Sequence, residues 1–178
     1  TIGSMYWVQQ HIPKFLSEEL FITLSTSIIV FGFFNVRKKA VCFSGDVGSV
    51  SLAFIFCFLL VKMVVLTDFV WWILFLGIYG IDTVFTIICR IFRREQLLQA
   101  HRSHFYQFLA NETGLNHIEV SILYAIAQLV LNVFVVYSYI TGQIWIGLIG
   151  LFVFIIIYTI FRLQFEGHKR LFVTYNHD

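Results

Sequence analysis

Charge is what this chain has least of. Asp, Glu, Lys and Arg make up 12% of its 178 residues, where a soluble domain carries about a quarter. Charge this sparse excludes a disordered chain and offers no basic surface to a nucleic acid. A single proline accompanies eleven glycines, which excludes a collagenous repeat. Cys42, Cys57 and Cys89 are odd in number and never spaced CxxC. They exclude a disulfide scaffold and read as small apolar filler rather than as metal or redox groups. The opening stretch, Thr1 to Phe15, has no basic segment leading into an apolar core. No cleavable leader is expected there, and a chain that starts on Thr is read as processed or as part of something longer. GxSxG, P-loop and HExxH motifs are missing too.

What is present is apolar: 59% hydrophobic residues, 19% aromatic, 21 of them Phe. A soluble fold of this length cannot hide so much. The expected fold is an all-α polytopic membrane protein, one membrane domain over residues 1–178. Five apolar runs mark its spans: about Leu20 to Phe34, Ser51 to Leu66, Val70 to Ile88, Ile118 to Ile140 and Ile144 to Phe161. A bilayer helix needs about 17–25 residues, so the first two runs are slightly short. The tight connectors Thr67-Asp68-Phe69 and Thr141-Gly142-Gln143 are expected to join antiparallel neighbours.

The few charges are placed on one side. Arg37, Lys38 and Lys39 lie in the first long loop, and Arg90, Arg93, Arg94 and Arg102 in the second. Arg162, Lys169 and Arg170 lie in the tail, while the other side has only Lys14 and Lys62. The positive-inside rule then puts loops 35–50 and 89–117 and the C-terminus in the cytoplasm, with the N-terminus outside. Basic loops on that side suit an anionic ligand, although topology alone would also put them there.

Three segments on that side could carry chemistry. In Phe43-Ser44-Gly45-Asp46-Val47-Gly48-Ser49-Val50-Ser51, two glycines bracket an aspartate. Gly45 and Gly48 permit positive φ and close approach of a ligand. Ser49 or Ser51 could cap the next helix, whose first N–H groups favour an anion. Asp46 is a hard oxygen ligand of the kind Mg²⁺ takes alongside phosphates. An ordinary turn with an N-cap would read the same way. Asp82, inside the third apolar run, is a second candidate, since an ionisable group in a span is functional by default. It lies about 12 Å before Arg90 along a helix, with Thr86 one turn on. It could equally pair with a neighbouring polar group. The third segment is Ala100-His101-Arg102-Ser103-His104-Phe105-Tyr106-Gln107. On a helix, His101 and His104 would share a face, and His and Arg side chains bind phosphate oxygens. A zinc pair would need a third ligand, and none stands near. An interfacial amphipathic helix is the plainer alternative. His117 and His168 read as structural.

Taken together, these segments resemble a known family. Phe33-Phe34-Asn35, a short basic stretch and Phe43-Ser44-Gly45-Asp46-Val47-Gly48-Ser49 resemble the FN…FMGDxGS segment of the polyprenyl-phosphate N-acetylhexosaminyl-1-phosphate transferases, the MraY/WecA group. Asp82-Thr83 followed by Arg90 resembles their aspartate-bearing helix before a large cytoplasmic loop. His101-Arg102-Ser103-His104-Phe105-Tyr106-Gln107 is similar to their HxHH-type loop motif, with Tyr-Gln in place of its last two histidines. The resemblance runs from about Phe33 to the C-terminus and corresponds to the carboxyl-terminal half of such an enzyme. The family's paired-aspartate motif and Asn/Asp-rich loop motif, which belong to its amino-terminal half, are not present here.

The resemblance implies phosphoryl transfer in a bacterial inner (plasma) membrane, as the first membrane step of cell-envelope glycan synthesis. N-acetylhexosamine-1-phosphate would pass from a UDP-amino sugar to a polyprenyl (undecaprenyl) phosphate, with release of UMP. A simple amino sugar such as GlcNAc is favoured over a peptide-bearing one, and a homodimer is an allowed assembly. The implied catalytic residues are Asp46, as ligand to Mg²⁺ (or Mn²⁺), Asp82 and His104. The implied substrate-binding residues are Asn35, Gly45, Gly48, Ser49, His101 and Arg102. The alternatives are a non-catalytic or partner-dependent membrane fragment and a transporter module. A transporter would carry polar residues through several spans, yet Gln128 and Asn132 are the exceptions in otherwise apolar mid-span segments.

Overall fold

The computed structural model describes residues 2–12, 15–36, 41–96, 103–167 and 171. The protein is all-α and multi-pass: among the described residues there is no strand, and five helices are long and apolar enough to cross a membrane. The helices are α1 (Ile2–His11), α2 (Glu18–Asn35), α3 (Gly45–Thr67), α4 (Gly77–Phe92), α5 (Phe105–Glu112), α6 (His117–Thr141) and α7 (Ile144–Glu166), with a 3₁₀ helix at Val70–Leu76 ahead of α4. The five spans are α2, α3, Val70–Phe92, α6 and α7. They match the five apolar runs. The chain folds as two compact units, Thr1–Phe75 and Leu76–Asp178.

In the first unit, Ser17 caps α2 by accepting from the Leu20 N–H at 3.3 Å, and Glu18 and Glu19 occupy the first turn, where the helix dipole favours them. No residue of α2 is fully buried. Phe21, Leu24 and Ile28 are half-buried toward Met5, Ile55 and Leu59, while Ile22, Ile29, Val30 and Phe33 are exposed, as in a helix whose outer face meets lipid. α3 begins six residues ahead of the apolar run. Its first turns hold Asp46 and Ser49, polar residues that hydropathy assigns to a loop but that a helix start accepts. The helix ends on Asp68 in the left-handed region, φ 52°. Thr67 ties that turn: its Oγ1 donates to the Met63 carbonyl at 2.7 Å and accepts from the indole of the buried Trp72 at 2.8 Å. α1 is an element the apolar runs do not mark. It buries Met5 and Val8, and Gln9 pairs with both backbone groups of Leu16, at 2.7 and 3.1 Å.

In the second unit, α6 and α7 form a tight hairpin. Gly142, at φ +66°, makes the left-handed turn. Asn116 and Glu119 form a capping box at the other end of α6. The hairpin packs through small residues. A Cβ built on Gly150 would lie 2.8 Å from Phe134 Cγ and 2.9 Å from Phe134 Cβ, so only glycine lets the helices approach this closely. The two mid-span polar residues are structural. Gln128 Oε1 accepts the Ile78 N–H at 3.0 Å, an N–H at the start of α4 that has no helical partner. The Gln128 amide donates to Asn132 Oδ1 at 2.7 Å.

Candidate functional site

The first candidate segment opens α3. Gly45 is in the left-handed region at φ +59°, and Ser44 stands at the N-cap without a side-chain cap bond. Ser49 and Ser51 do not cap the helix as expected. Both lie inside it, and Ser49 Oγ donates to the Asp46 carbonyl at 3.0 Å. The reason is the early start of α3: once Gly45 turns the chain, the polar residues become its first turns. Gly48 sits against Ser44, 3.1 Å from where a Cβ would meet the serine's own Cβ. Asn35 closes the preceding loop from the end of α2. Its side-chain amide donates to the Cys42 carbonyl at 2.8 Å, and the Val41 N–H bonds the Phe34 carbonyl at 3.1 Å. Asp46 is exposed. Among the described residues its carboxylate meets no donor and no cation, and no group of three or more His, Cys, Asp or Glu gathers to hold a metal. A lone, outward carboxylate fits Mg²⁺ of the kind that keeps most of its waters and takes one or two carboxylates beside substrate phosphates.

The second segment is the reverse case. Asp82 on α4 is fully buried, and five donors converge on its carboxylate. Oδ1 accepts from Thr86 Oγ1 at 3.2 Å, the Phe105 N–H at 3.1 Å and Tyr158 Oη at 3.0 Å. Oδ2 accepts from the Tyr106 N–H at 3.3 Å and Tyr124 Oη at 2.9 Å. A carboxylate offers about four lone-pair directions, so this one is saturated. Two of the five donors are the first N–H groups of α5, so Asp82 caps that helix from α4. Arg162 lies 3.7 Å away and is itself buried.

Arg162 is the residue the apolar pattern hides. The fifth run ends at Phe161, which leaves Arg162 in the tail. The structure corrects this: α7 continues to Glu166 and carries Arg162 inward. Its guanidinium donates through Nε to Glu166 at 3.1 Å and through Nη1 to Thr86 Oγ1 at 2.8 Å and Tyr158 Oη at 2.7 Å. Through Nη2 it donates to the Ser103 carbonyl at 2.7 Å, and its carbon stands 5.1 Å above the Phe85 ring. Tyr158, Arg162 and Glu166 repeat every four residues on one helix face, and that spacing was the available signal.

The third segment meets the second. His104 Nδ1 is 3.4 Å from Asp82 Oδ1, and the His104 ring stacks on Tyr106 with centroids 5.6 Å apart. His104 does not lie on a helix: it precedes α5 in extended conformation, so the shared helical face expected of His101 and His104 is not formed at His104. His101 and Arg102 lie outside the described residues. Burial pushes the Tyr106 phenol above its ordinary value, with Tyr79 and Asp82 adding to the rise, so it remains a neutral donor at physiological pH. Arg90 is also buried. It pairs with Glu95 at 3.1 Å and bonds the Gln96 carbonyl, closing the end of α4.

Beside this cluster is an apolar cavity of about 310 Å³, walled by Ile78, Ile81, Phe105, Leu109, Tyr124 and Tyr158 among others. The two tyrosines present rings to the cavity and hydroxyls to Asp82. No family model matches the chain, and no characterised protein or solved structure matches it.

Proposed function

We propose that the protein belongs to the machinery of polyprenyl-phosphate N-acetylhexosamine-1-phosphate transfer, as the carboxyl-terminal half of an enzyme of the MraY/WecA type. One observation carries the reading: two motif segments more than twenty residues apart in sequence pack together, with His104 3.4 Å from Asp82. The exposed Asp46 supports it as the one carboxylate of the three motifs left open to a ligand. The reaction joins an oxygen of the lipid phosphate to the β-phosphorus of a UDP-amino sugar. The bond from that phosphorus to the UMP oxygen breaks, and UMP leaves. Mg²⁺, when bound, offsets the charge that builds on the diphosphate.

The chain's own residues then have distinct tasks. Asp46 holds the ion at a helix start, and Gly45 and Gly48 let the diphosphate approach backbone N–H groups there. Ser49 lies in the same helix start, and Asn35 closes the loop before it. His104, with His101 and Arg102, binds the phosphates of the sugar nucleotide from the second loop, and Asp82 supports His104. The apolar cavity suits the first units of the lipid tail, which belong in hydrocarbon while the phosphate stays at headgroup level. Loops 35–50 and 89–117 are assigned to the cytoplasm of a bacterial inner membrane, where the nucleotide sugar is found.

The test is UMP release by the complete protein, supplied with UDP-GlcNAc and undecaprenyl phosphate in detergent. Asp46→Asn is expected to lower kcat by about 10²–10³-fold while the protein still folds. Transfer that stays within a few-fold of wild type would remove the Mg²⁺ assignment.

A further inference from the structure

We propose that Arg162 is a positioning residue for His104: with Asp82 it forms a clamp that grips the backbone on both sides of that histidine. The proposal deepens the transferase reading and rests on it for the purpose of the clamp, though not for its existence.

The geometry is specific. On the upstream side, the Ser103 carbonyl accepts from Arg162 Nη2 at 2.7 Å. On the downstream side, the Phe105 and Tyr106 N–H groups donate to Asp82 at 3.1 and 3.3 Å. His104 is the single residue between these grips, and its own N–H is held by the Gln107 side chain at 3.4 Å. The clamp itself cannot rotate. Asp82 belongs to α4 and Arg162 to α7, and Thr86 and Tyr158 each bond to both. Glu166 fixes the third edge of the guanidinium, and the Phe85 ring lies against its face.

Stability is a weak reason to build such a cluster. A buried ion pair costs desolvation that apolar packing would avoid, and replacing one by apolar residues is often neutral or stabilising. What apolar side chains cannot do is bond a carbonyl on one side of a residue and two N–H groups on the other. Here one guanidinium N–H takes the carbonyl while the rest of the planar fork is fixed on Glu166, Thr86 and Tyr158, and the two carboxylate oxygens take the N–H groups. His104 keeps a side chain 16% exposed while the groups that hold it are almost sealed, at 1% each for Arg162 and Asp82. Of the three side chains, His104 is the one that keeps some surface for a phosphate to meet. Holding such a group to within an ångström matters, since a misplacement of that size can cost about 10²-fold in rate.

The experiment substitutes Arg162→Lys, which keeps the charge but has one donor centre in place of the fork. Two readouts are taken on the complete protein in detergent. The first is the rate of diethyl pyrocarbonate modification of each histidine, resolved by mass spectrometry. The rate at His104 is expected to rise by about fivefold, the factor that about 1 kcal/mol of lost local order gives. The rate at His117, exposed at the start of α6, is expected to be unchanged. The second is UMP release, with kcat expected to fall about tenfold or more while KM for UDP-GlcNAc moves by less than about twofold.

A merely structural role would lower the yield of folded protein without this split. If Arg162→Lys fails to fold, Tyr158→Phe replaces it. That variant keeps the arginine but removes the hydroxyl shared with Asp82, and a smaller rise at His104 alone is expected. If His104 reactivity and kcat both stay at wild-type values, the clamp is overturned. If the wild-type protein releases no UMP, the transferase reading falls and the modification rates alone decide the clamp.

Discussion

Asp46 and Asp82 are the same chemical group in opposite settings. Asp46 is exposed on the first turn of α3, and no described donor meets its carboxylate. Asp82 is sealed within α4 to α7 under five donors and a guanidinium. A carboxylate with free lone pairs can take up a cation or a water. A saturated one can only hold what already surrounds it. The comparison separates the two candidate acids of the sequence by setting: Asp46 has its carboxylate open, as the proposed function requires, and Asp82 has its carboxylate engaged. It also qualifies the default that an ionisable residue within a span marks a ligand path. Here the span's aspartate is joined to the first N–H groups of a short helix.

The largest effect that could break this comparison is on stability. Asp82→Ala removes one of the two carboxylates beside Arg162, leaving Glu166 as the other, and deprives two α5 N–H groups and the hydroxyls of Thr86, Tyr124 and Tyr158 of their acceptor. Removing one partner of a buried pair costs about 3–5 kcal/mol. Asp46→Ala removes an exposed group and should remain within about 0.5 kcal/mol of wild type. Unfolding of the two variants in detergent, followed by thermal or denaturant titration, checks the order. Equal losses would show that Asp46 is as deeply engaged as Asp82 and would collapse the distinction.

A finer cut lies within the Asp82 cluster. Both tyrosines donate to the carboxylate, but only Tyr158 also accepts from Arg162. A hydrogen bond to a charged group contributes about 1.5–3 kcal/mol. Tyr158→Phe should therefore destabilise by about 1 kcal/mol more than Tyr124→Phe in the same unfolding measurement. Equal costs would mean that the Tyr158–Arg162 bond adds nothing and that Thr86, Glu166 and the Ser103 carbonyl hold Arg162 without it.

These residues also show where the sequence could be read and where it could not. The five spans were legible because each is a run of apolar side chains long enough to cross a bilayer. Their ends were less so. Hydropathy loses a helix where polar residues begin it, as at Asp46 and Ser49, or continue it, as at Arg162 and Glu166. That last error mattered most, since it placed the centre of the clamp in the tail. Asp82 was visible as a lone acid in an apolar run, and Thr86 beside it. Arg162 is 76 residues from Thr86, and no periodicity links positions so far apart. Nor does pattern alone show that Gln128 serves the Ile78 N–H. α1 is too short and too polar to stand out as an apolar run, and the spacing of Met5, Val8 and Ile12 is its one helical sign.

The smallest effect sharpens the Asp46 side of the comparison. Gly45 has φ +59°, and a Cβ there would meet nothing within 4 Å. Any cost of a side chain at this position is therefore backbone conformation, free of steric packing. Gly45→Ala should destabilise by about 1–2 kcal/mol, the cost of a left-handed L-residue. Gly45→Asn should cost less, because asparagine adopts this conformation by bonding its own backbone. Under the proposed transfer, kcat should follow the same order, with alanine lower than asparagine, since this turn sets where Asp46 leaves the helix start. The decisive outcome is a neutral Gly45→Ala in both unfolding and turnover. The turn would then relax without consequence, and the position of Asp46 would owe nothing to the glycine before it.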